Sequence, residues 1–221
     1  MSIKLGTTTP MTFRLGNIKP LRIFQGSKLV WPEPFTPVFL EFTTAYSQDI
    51  TAFRDAGATH VDRVVLGGGS GGAGATIVAN SKGGNAGVFA WDTVSLDAAP
   101  NLTVISGSVG GGGAGGSSTG AGAAGGASTS LGTGIPTLTG AGGASSGTGS
   151  GETAGKGVSS GNADSGRSVL LNNRTYSGGF GTTVGAGSPP GGGGRAASSS
   201  FSVGYPGADG KVWLYIYSIY T

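Results

Sequence analysis

Cysteine is absent from this 221-residue sequence, and histidine occurs once. Without cysteine the chain has no disulfide framework and no thiolate metal site, so neither covalent bridges nor zinc can hold it together. Charge is also sparse: 13 basic and 10 acidic side chains leave a net charge of +3. No dense block of lysine and arginine exists, which argues against nucleic-acid binding. No apolar run is long enough to cross a bilayer, so membrane insertion is not expected.

Glycine is what the chain has in excess, with 48 residues, most of them between Gly67 and Gly210. Two physical states are open to such a stretch. One is a flexible linker, because glycine loses more backbone entropy on ordering than any other residue. The other is a set of extended helices of the polyproline II type, with three residues per turn, packed side by side through lateral backbone hydrogen bonds. Short apolar segments interrupt the glycines and favour the ordered state. Collagen is excluded because no strict Gly-X-Y register is kept and proline totals only 10.

The sequence on either side of the glycine stretch predicts β-strands. Four segments are rich in β-branched and aromatic residues, namely Val38–Phe42, 46–51, 59–66 and 211–220. The strand that enters the glycine region and the strand that leaves it are expected to be neighbours in one sheet. The fold class is therefore mostly β with a large region of packed polyglycine II-type helices. We expect a glycine-rich domain at 35–221, in which a β-layer of 38–66 and 211–221 clamps an insertion at 67–210.

Residues 1–34 are predicted to form a small β-ribbon, because apolar segments closed by glycine recur every ten residues. Such a ribbon has little core of its own, so we expect it to dock on a neighbouring subunit or another protein. The alternative is a leader strand that packs on its own domain. The candidate docking and oligomerisation residues are Leu5, Phe13, Leu15, Ile23 and Trp31.

Several matches to catalytic motifs are interpreted as chance in a glycine-dense sequence. The segment 67–72 fits a dinucleotide-binding pattern, and Ser70 stands in G-x-S-x-G. However, no amphipathic helix follows, and the single histidine, His60, lies just upstream on a predicted strand. The segment around Lys156 lacks the serine or threonine that a phosphate loop requires. We expect no enzyme activity, no cofactor and no metal; a nucleotide-binding or hydrolytic enzyme remains the less favoured alternative.

The order of motifs resembles the glycine-rich domain of minor tail proteins from bacteriophages of actinobacterial hosts. Four stretches carry the resemblance: the opening repeat that ends in Val30-Trp31-Pro32, residues 56–69, residues 173–179, and residues 189–194 with 207–213. The resemblance implies a component of the virion tail or tail tip, made in the host cytoplasm and assembled with other tail proteins. It carries over no catalytic residue. Tail symmetry favours a homo-oligomer, with a trimer as the first expectation.

Recognition by a polyglycine bundle must come from places where large residues interrupt the glycines. Aromatic rings beside asparagine, aspartate and arginine suit a sugar, since the ring stacks on its apolar face while the polar groups bind its hydroxyls. A host cell-envelope glycan is therefore the expected target, and a purely architectural role is the alternative. The same aromatic residues could instead be core anchors. The receptor-binding candidates are Trp91, Asp92, Asn173, Arg174, Tyr176, Phe201 and Tyr205.

Overall fold

The computed structural model of the chain describes the backbone of residues 23–25 and 28–31 and, in full, residues 35–75, 82–118, 120–145, 167–182 and 184–220. These residues contain twelve strands and one short helix. In chain order they are β1 (Ile23–Gln25), β2 (Lys28–Trp31), β3 (Val38–Phe42), β4 (Tyr46–Asp49), α1 (Thr51–Asp55), β5 (His60–Leu66), β6 (Phe89–Ser95), β7 (Val104–Gly107), β8 (Ser128–Gly132), β9 (Ile135–Gly140), β10 (Ser168–Leu171), β11 (Arg174–Ser177) and β12 (Lys211–Tyr217).

The first sheet has the antiparallel order β3-β12-β5-β6. The predicted pairing of the strand that enters the glycine region with the one that leaves it is confirmed, because Lys211 lies opposite Leu66 and Tyr217 lies opposite His60. The predicted strand at 46–51 is shorter than expected. It ends at Asp49, whose carboxylate accepts the amide of Thr51 at 2.7 Å and so starts α1.

A second sheet, of order β4-β7-β8-β9, packs on one face of the first. We call the two sheets together the sandwich. Strand alternation places Val212, Leu214 and Ile216 in its core, all fully buried. Tyr46 and Ile105 reach the same core from the second sheet. Burying a side chain of this size contributes about 1.5–3 kcal/mol, so the sandwich is held by ordinary apolar packing.

The interval 67–210 contains six of the strands, β6 to β11. The glycine-rich interval therefore also supplies strands to both sheets. β6 completes the first sheet, and β7, β8 and β9 make most of the second. Local sequence explains part of this arrangement, because threonine, leucine and isoleucine replace glycine in these strands and favour extended pairing.

At the amino-terminal end, β1 and β2 form an antiparallel pair in which Ile23 lies opposite Trp31. The remainder of the predicted ribbon, including Leu5, Phe13 and Leu15, lies outside the described residues. Its docking role stays a prediction.

Residues 67–75, the central segment, continue β5 without a turn and donate all nine of their amides to other parts of the chain. The acceptors change in rotation, so that every third amide bonds the same neighbour. The amides of 67, 70 and 73 donate to the carbonyls of 88, 85 and 82. The amides of 68, 71 and 74 donate to the carbonyls of 126, 123 and 120. The amides of 69, 72 and 75 donate to the carbonyls of 208, 205 and 202. The central segment is thus hydrogen-bonded laterally with a three-residue period.

Three other stretches donate amides to the carbonyls of the central segment. Gly113 and Gly116 donate to Gly69 and Gly72 at 2.8 Å, Gly194 and Ala197 donate to Ser70 and Ala73 at 2.9 Å, and Gly143 donates to Gly68 at 2.8 Å. The spacing between these backbones leaves no room for a side chain at glycine positions such as 71 and 72. A Cβ placed on Gly72 would lie 2.0 Å from the carbonyl oxygen of Arg195, and one on Gly71 would lie 2.0 Å from that of Ala114.

We call the central segment and its hydrogen-bonded neighbours the glycine bundle. No helix among the described residues is both long enough and apolar enough to cross a membrane.

Candidate recognition surface

The hairpin formed by β10 and β11 covers the face of the first sheet that points away from the sandwich core. Its turn residues, Asn172 and Asn173, have φ angles of 46° and 61°. Asparagine tolerates this left-handed conformation better than most residues, and a two-residue turn with positive φ at both positions matches the twist of a hairpin. The turn therefore places Asn173 and the adjoining Arg174 at the exposed end of the hairpin.

Tyr176 anchors the hairpin and is only 1% exposed. Its ring meets Trp213 of β12 edge-on, with centroids 5.8 Å apart, and lies 6.1 Å from Phe39 of β3. Burial raises the pKa of its hydroxyl, which has no hydrogen-bond partner among the described residues. Of the two roles that the sequence left open for Tyr176, the structure supports the core anchor.

Arg174 lies between two aromatic rings. Its guanidinium carbon is 4.4 Å from the ring centroid of Phe39 and 4.3 Å from that of Tyr215. Contacts at this distance hold a cation by its attraction to the ring faces. The side chain is therefore held in place before any ligand arrives, with part of its surface still exposed.

Asn172 joins the hairpin turn to the sheet. Its amide nitrogen donates to the Asp62 carboxylate at 2.8 Å, and it lies 3.0 Å from the Tyr217 hydroxyl and 3.1 Å from the Thr93 hydroxyl. Thr93 also donates to Asp62 at 2.7 Å. Asn172, Asp62 and Thr93 are not among the candidates predicted from the sequence. An Asn-Asn pair between two apolar-polar runs is a recognisable hairpin turn, and that signal could have located the first of them.

Asp62 is fully buried beneath this network. Burial raises the pKa of its carboxyl, and the hydrogen bonds from Thr93 and Asn172 oppose the rise. Its second oxygen, Oδ2, has no hydrogen-bond partner among the described residues. Burial and the nearby Asp62 charge also raise the pKa of Tyr217 to about 12. Tyr217 therefore stays protonated at neutral pH.

Trp91 lies on the same sheet face as the hairpin and is 40% exposed. It stands two residues before Thr93 on β6, and alternate residues of a strand share a face. Asp92 points to the opposite face, where its carboxylate accepts two hydrogen bonds from Arg63, one from Nε at 2.8 Å and one from Nη2. Arg63 is fully buried and also donates to the carbonyls of Ser130 and Pro136. Arg63 thus ties the two sheets together, and Asp92 holds its guanidinium from the neighbouring strand of the first sheet.

The last two candidates lie in the glycine bundle. Phe201 is 64% exposed with a φ of 55°, and Tyr205 is 41% exposed. Tyr205 belongs to a stretch that accepts amides from the central segment, and it donates its own amide to Arg195. Trp91, Asn173 and Arg174 therefore form one candidate surface on the first sheet, which we call the sheet-face site. Phe201 and Tyr205 stand apart from it.

Comparison with protein-family models finds one match, described as a glycine-rich domain, over residues 44–217. This interval covers most of the chain. The chain belongs to this glycine-rich domain family. The matched glycine-rich domain begins just before β4 and ends with β12. It therefore includes the hairpin, the central segment and all of the sandwich except β3. No curated protein matches the sequence significantly.

The catalytic motif matches occupy structural positions in this glycine-rich domain. Ser70 is fully buried, and its hydroxyl accepts the amide of Asn85 at 2.7 Å. His60 instead lies at the far end of β5, where its ring stacks on Tyr217 with centroids 5.6 Å apart. Within the described ranges, no group of three metal-ligating side chains occurs. Lys156 lies outside those ranges.

Proposed function

We propose that this chain is a non-enzymatic component of a bacteriophage tail or tail tip that contacts a host cell-envelope glycan through the sheet-face site. The tail assignment rests on the order of motifs along the sequence. The glycan assignment rests on one observation, an exposed indole on the sheet face that also carries the hairpin with Asn173 and an immobilised Arg174. An aromatic ring for the apolar sugar face and fixed polar groups for the hydroxyls are what a sugar-binding surface requires.

The geometry of the glycine bundle supports a scaffold role. We infer that its laterally bonded segments are polyglycine II helices, because each bonds a given neighbour at every third residue and glycine fills the positions of closest approach. A scaffold of this kind is bonded through its backbone and presents few large side chains. Recognition residues at its edges and on the adjoining sheet are then held rigidly, which lowers the entropic cost of binding.

The central experiment compares variants of the sheet-face site for binding to cell-wall fragments and soluble envelope polysaccharide from an actinobacterial host. Trp91→Ala and Arg174→Ala are expected to reduce binding at least about tenfold, which corresponds to about 1.4 kcal/mol. Trp91→Phe keeps an aromatic face and should retain most of the binding. Circular dichroism of each variant shows whether it remains folded.

The matched control is Phe201→Ala, which removes an even more exposed aromatic ring from the glycine bundle. If Phe201→Ala abolishes binding while Trp91→Ala does not, the recognition surface lies on the bundle and the sheet-face assignment is wrong. If folded wild-type protein binds no envelope fraction, the purely architectural role is favoured instead. Hydrolysis of nucleotides or esters that is lost on replacing Ser70 would support the enzyme alternative.

A further inference from the structure

β3 is an edge strand that lacks the usual protection against further pairing. It hydrogen-bonds β12 on one side, and no described strand lies on its other side. Its register from Val38 to Phe42 has no bulge, and it contains neither lysine nor proline. The edge strands of the second sheet differ, since β9 contains Pro136 and β4 carries polar residues at three of its four positions. Proteins normally block open edges with such features.

The side chains of β3 leave apolar surface open on both faces. Phe39, on the hairpin side, is 37% exposed. On the core side, Val38, Leu40 and Phe42 are only partly buried. The one charge, Glu41, is neutralised by Lys211 at 2.8 Å. Unpaired backbone groups between partly exposed apolar side chains are what an added strand covers.

We propose that β3 accepts a strand from the β1–β2 pair of a second copy of this chain. That pair directly precedes β3 in sequence, and Phe24, Leu29 and Val30 make it strongly apolar. A two-stranded ribbon is marginal in water by itself, so it needs a surface to bury. β3 also lies outside the matched glycine-rich domain, which places the acceptor strand and the ribbon together in the part of the chain that precedes the matched interval.

The connection between β2 and β3 disfavours pairing within one chain. Pro32, Pro34 and Pro37 lie in the six residues that separate Trp31 from Val38. Each proline fixes its own φ and pushes the preceding residue towards an extended conformation. Six extended residues span about 19 Å, whereas paired strands lie about 5 Å apart. Phe35 is also held against Phe53 of α1, with ring centroids 6.3 Å apart, so the chain enters β3 from a fixed point.

When the β1–β2 pair of one copy binds β3 of another copy, the assembly is either a reciprocal dimer or a ring in which each copy donates to the next. We call this donation strand exchange. The expected trimer is a ring of three. The inference does not rest on the glycan proposal, although Phe39 of β3 also contacts Arg174 of the sheet-face site.

The absence of cysteine makes the test specific. One version of the full chain receives a single cysteine in β3, at Val38, Leu40 or Phe42 in turn, and a second version of different mass receives Val30→Cys. After mixing, mild dissociation and oxidation, we expect a disulfide-linked species that contains one chain of each mass. Val203→Cys with Val30→Cys is the control and should give no cross-link, since Val203 is 64% exposed but lies in the glycine bundle.

A chain that carries both Leu40→Cys and Val30→Cys shows whether β3 is paired with the ribbon of another copy or with the ribbon of its own chain. Linked multimers support strand exchange, whereas a chain that closes on itself shows that the ribbon covers its own β3 and overturns the proposal. Sedimentation of the full chain and of a chain without residues 1–32 provides a second readout. We expect an oligomer that becomes a monomer on truncation; a full chain that stays monomeric, or an oligomer that survives truncation, contradicts the proposal.

Discussion

The sandwich and the glycine bundle exclude water by opposite means. In the sandwich, Val212, Leu214 and Ile216 fill the space between two sheets. In the bundle, the space between neighbouring segments is closed by the backbones themselves, and amides donate to carbonyls mostly at 2.7–3.0 Å. A core made of side chains accommodates a change of side-chain shape at a moderate cost in the free energy of unfolding. A core made of packed backbones has no space for an additional side-chain atom.

The sharpest test of this difference adds one methyl group to the bundle. Gly72→Ala is expected to lower the free energy of unfolding by about 4 kcal/mol, at the high end for a single substitution, because the new Cβ would meet a bonded backbone carbonyl. Gly111→Ala is the matched control, since its Cβ would have only the Asp209 carboxylate at 3.8 Å. Denaturant titration of both variants measures the effect. Equal, small losses would mean that the bundle is loosely packed.

The second prediction concerns the ion pair of the first sheet whose arginine, Arg63, also bonds the second sheet. Asp92→Ala leaves the Arg63 guanidinium buried without its carboxylate, and we expect a loss of about 3 kcal/mol. The two carbonyl acceptors that remain keep the loss from being larger. Denaturant titration should also show that Arg63→Leu combined with Asp92→Leu recovers part of the stability. A double variant as unstable as the sum of the two single ones would argue against this account.

A third prediction uses pH to examine the hairpin contact. Because the pKa of Asp62 is raised in the folded state, the folded protein binds its proton more tightly than the unfolded chain does. The carboxyl therefore contributes stability below its unfolded pKa of about 3.9, and that contribution is lost as pH rises through the folded pKa. Asp62→Asn cannot ionise. The stability of this variant relative to wild type should rise as pH rises through that window, because only the wild type loses the contribution of the protonated carboxyl. A difference that is independent of pH would contradict the assignment.

The smallest effect is expected at the surface of the first sheet. Glu41 accepts Lys211 at 2.8 Å and the Trp213 indole at 2.9 Å, and the hydrogen bond from Lys211 lowers its pKa. Its side chain is nearly half exposed, so solvent screens the pair. Glu41→Gln should cost less than about 0.5 kcal/mol in thermal or denaturant unfolding. A loss above about 1.5 kcal/mol would show that the edge of β3 is more strongly constrained than its exposure indicates.

Sequence reasoning located the strands that flank the glycine region because each is a continuous β-branched and aromatic run. It missed β8 and β9, where Ser128–Gly132 and Ile135–Gly140 are short and mixed with glycine. Their pairing depends on a sheet assembled from distant segments, and local propensity does not encode such partners. In the central segment the hydrogen bonds recur every three residues, and the helix type of this segment stays a proposal. The choice of neighbours could not be predicted, because glycine carries no side-chain pattern.

For the candidate site, sequence reasoning selected residues of the β10–β11 hairpin but could not assign the orientation of their side chains. Tyr176 and Arg174 stand two residues apart on one strand, yet one is buried against Trp213 and the other is held between Phe39 and Tyr215. Asp92 was selected for its polarity, and its partner Arg63 was not foreseen because the pair lies across two strands, 29 residues apart. Strand register decides such contacts, and it is set by the whole sheet.

The direct passage from β5 into the central segment has a mechanical consequence. Leu66 leads into Gly67 and Gly210 leads into Lys211, and Leu66 and Lys211 are paired neighbours in the first sheet. A load applied to the central segment therefore reaches the first sheet through the Leu66–Gly67 connection, which lies next to the Gly210–Lys211 connection on the paired strand. Because the amides of the central segment bond three neighbours in rotation, pulling on that segment strains many hydrogen bonds in shear at once, instead of opening them one after another. The glycine bundle is therefore a stiff extension of the sheet that carries Trp91.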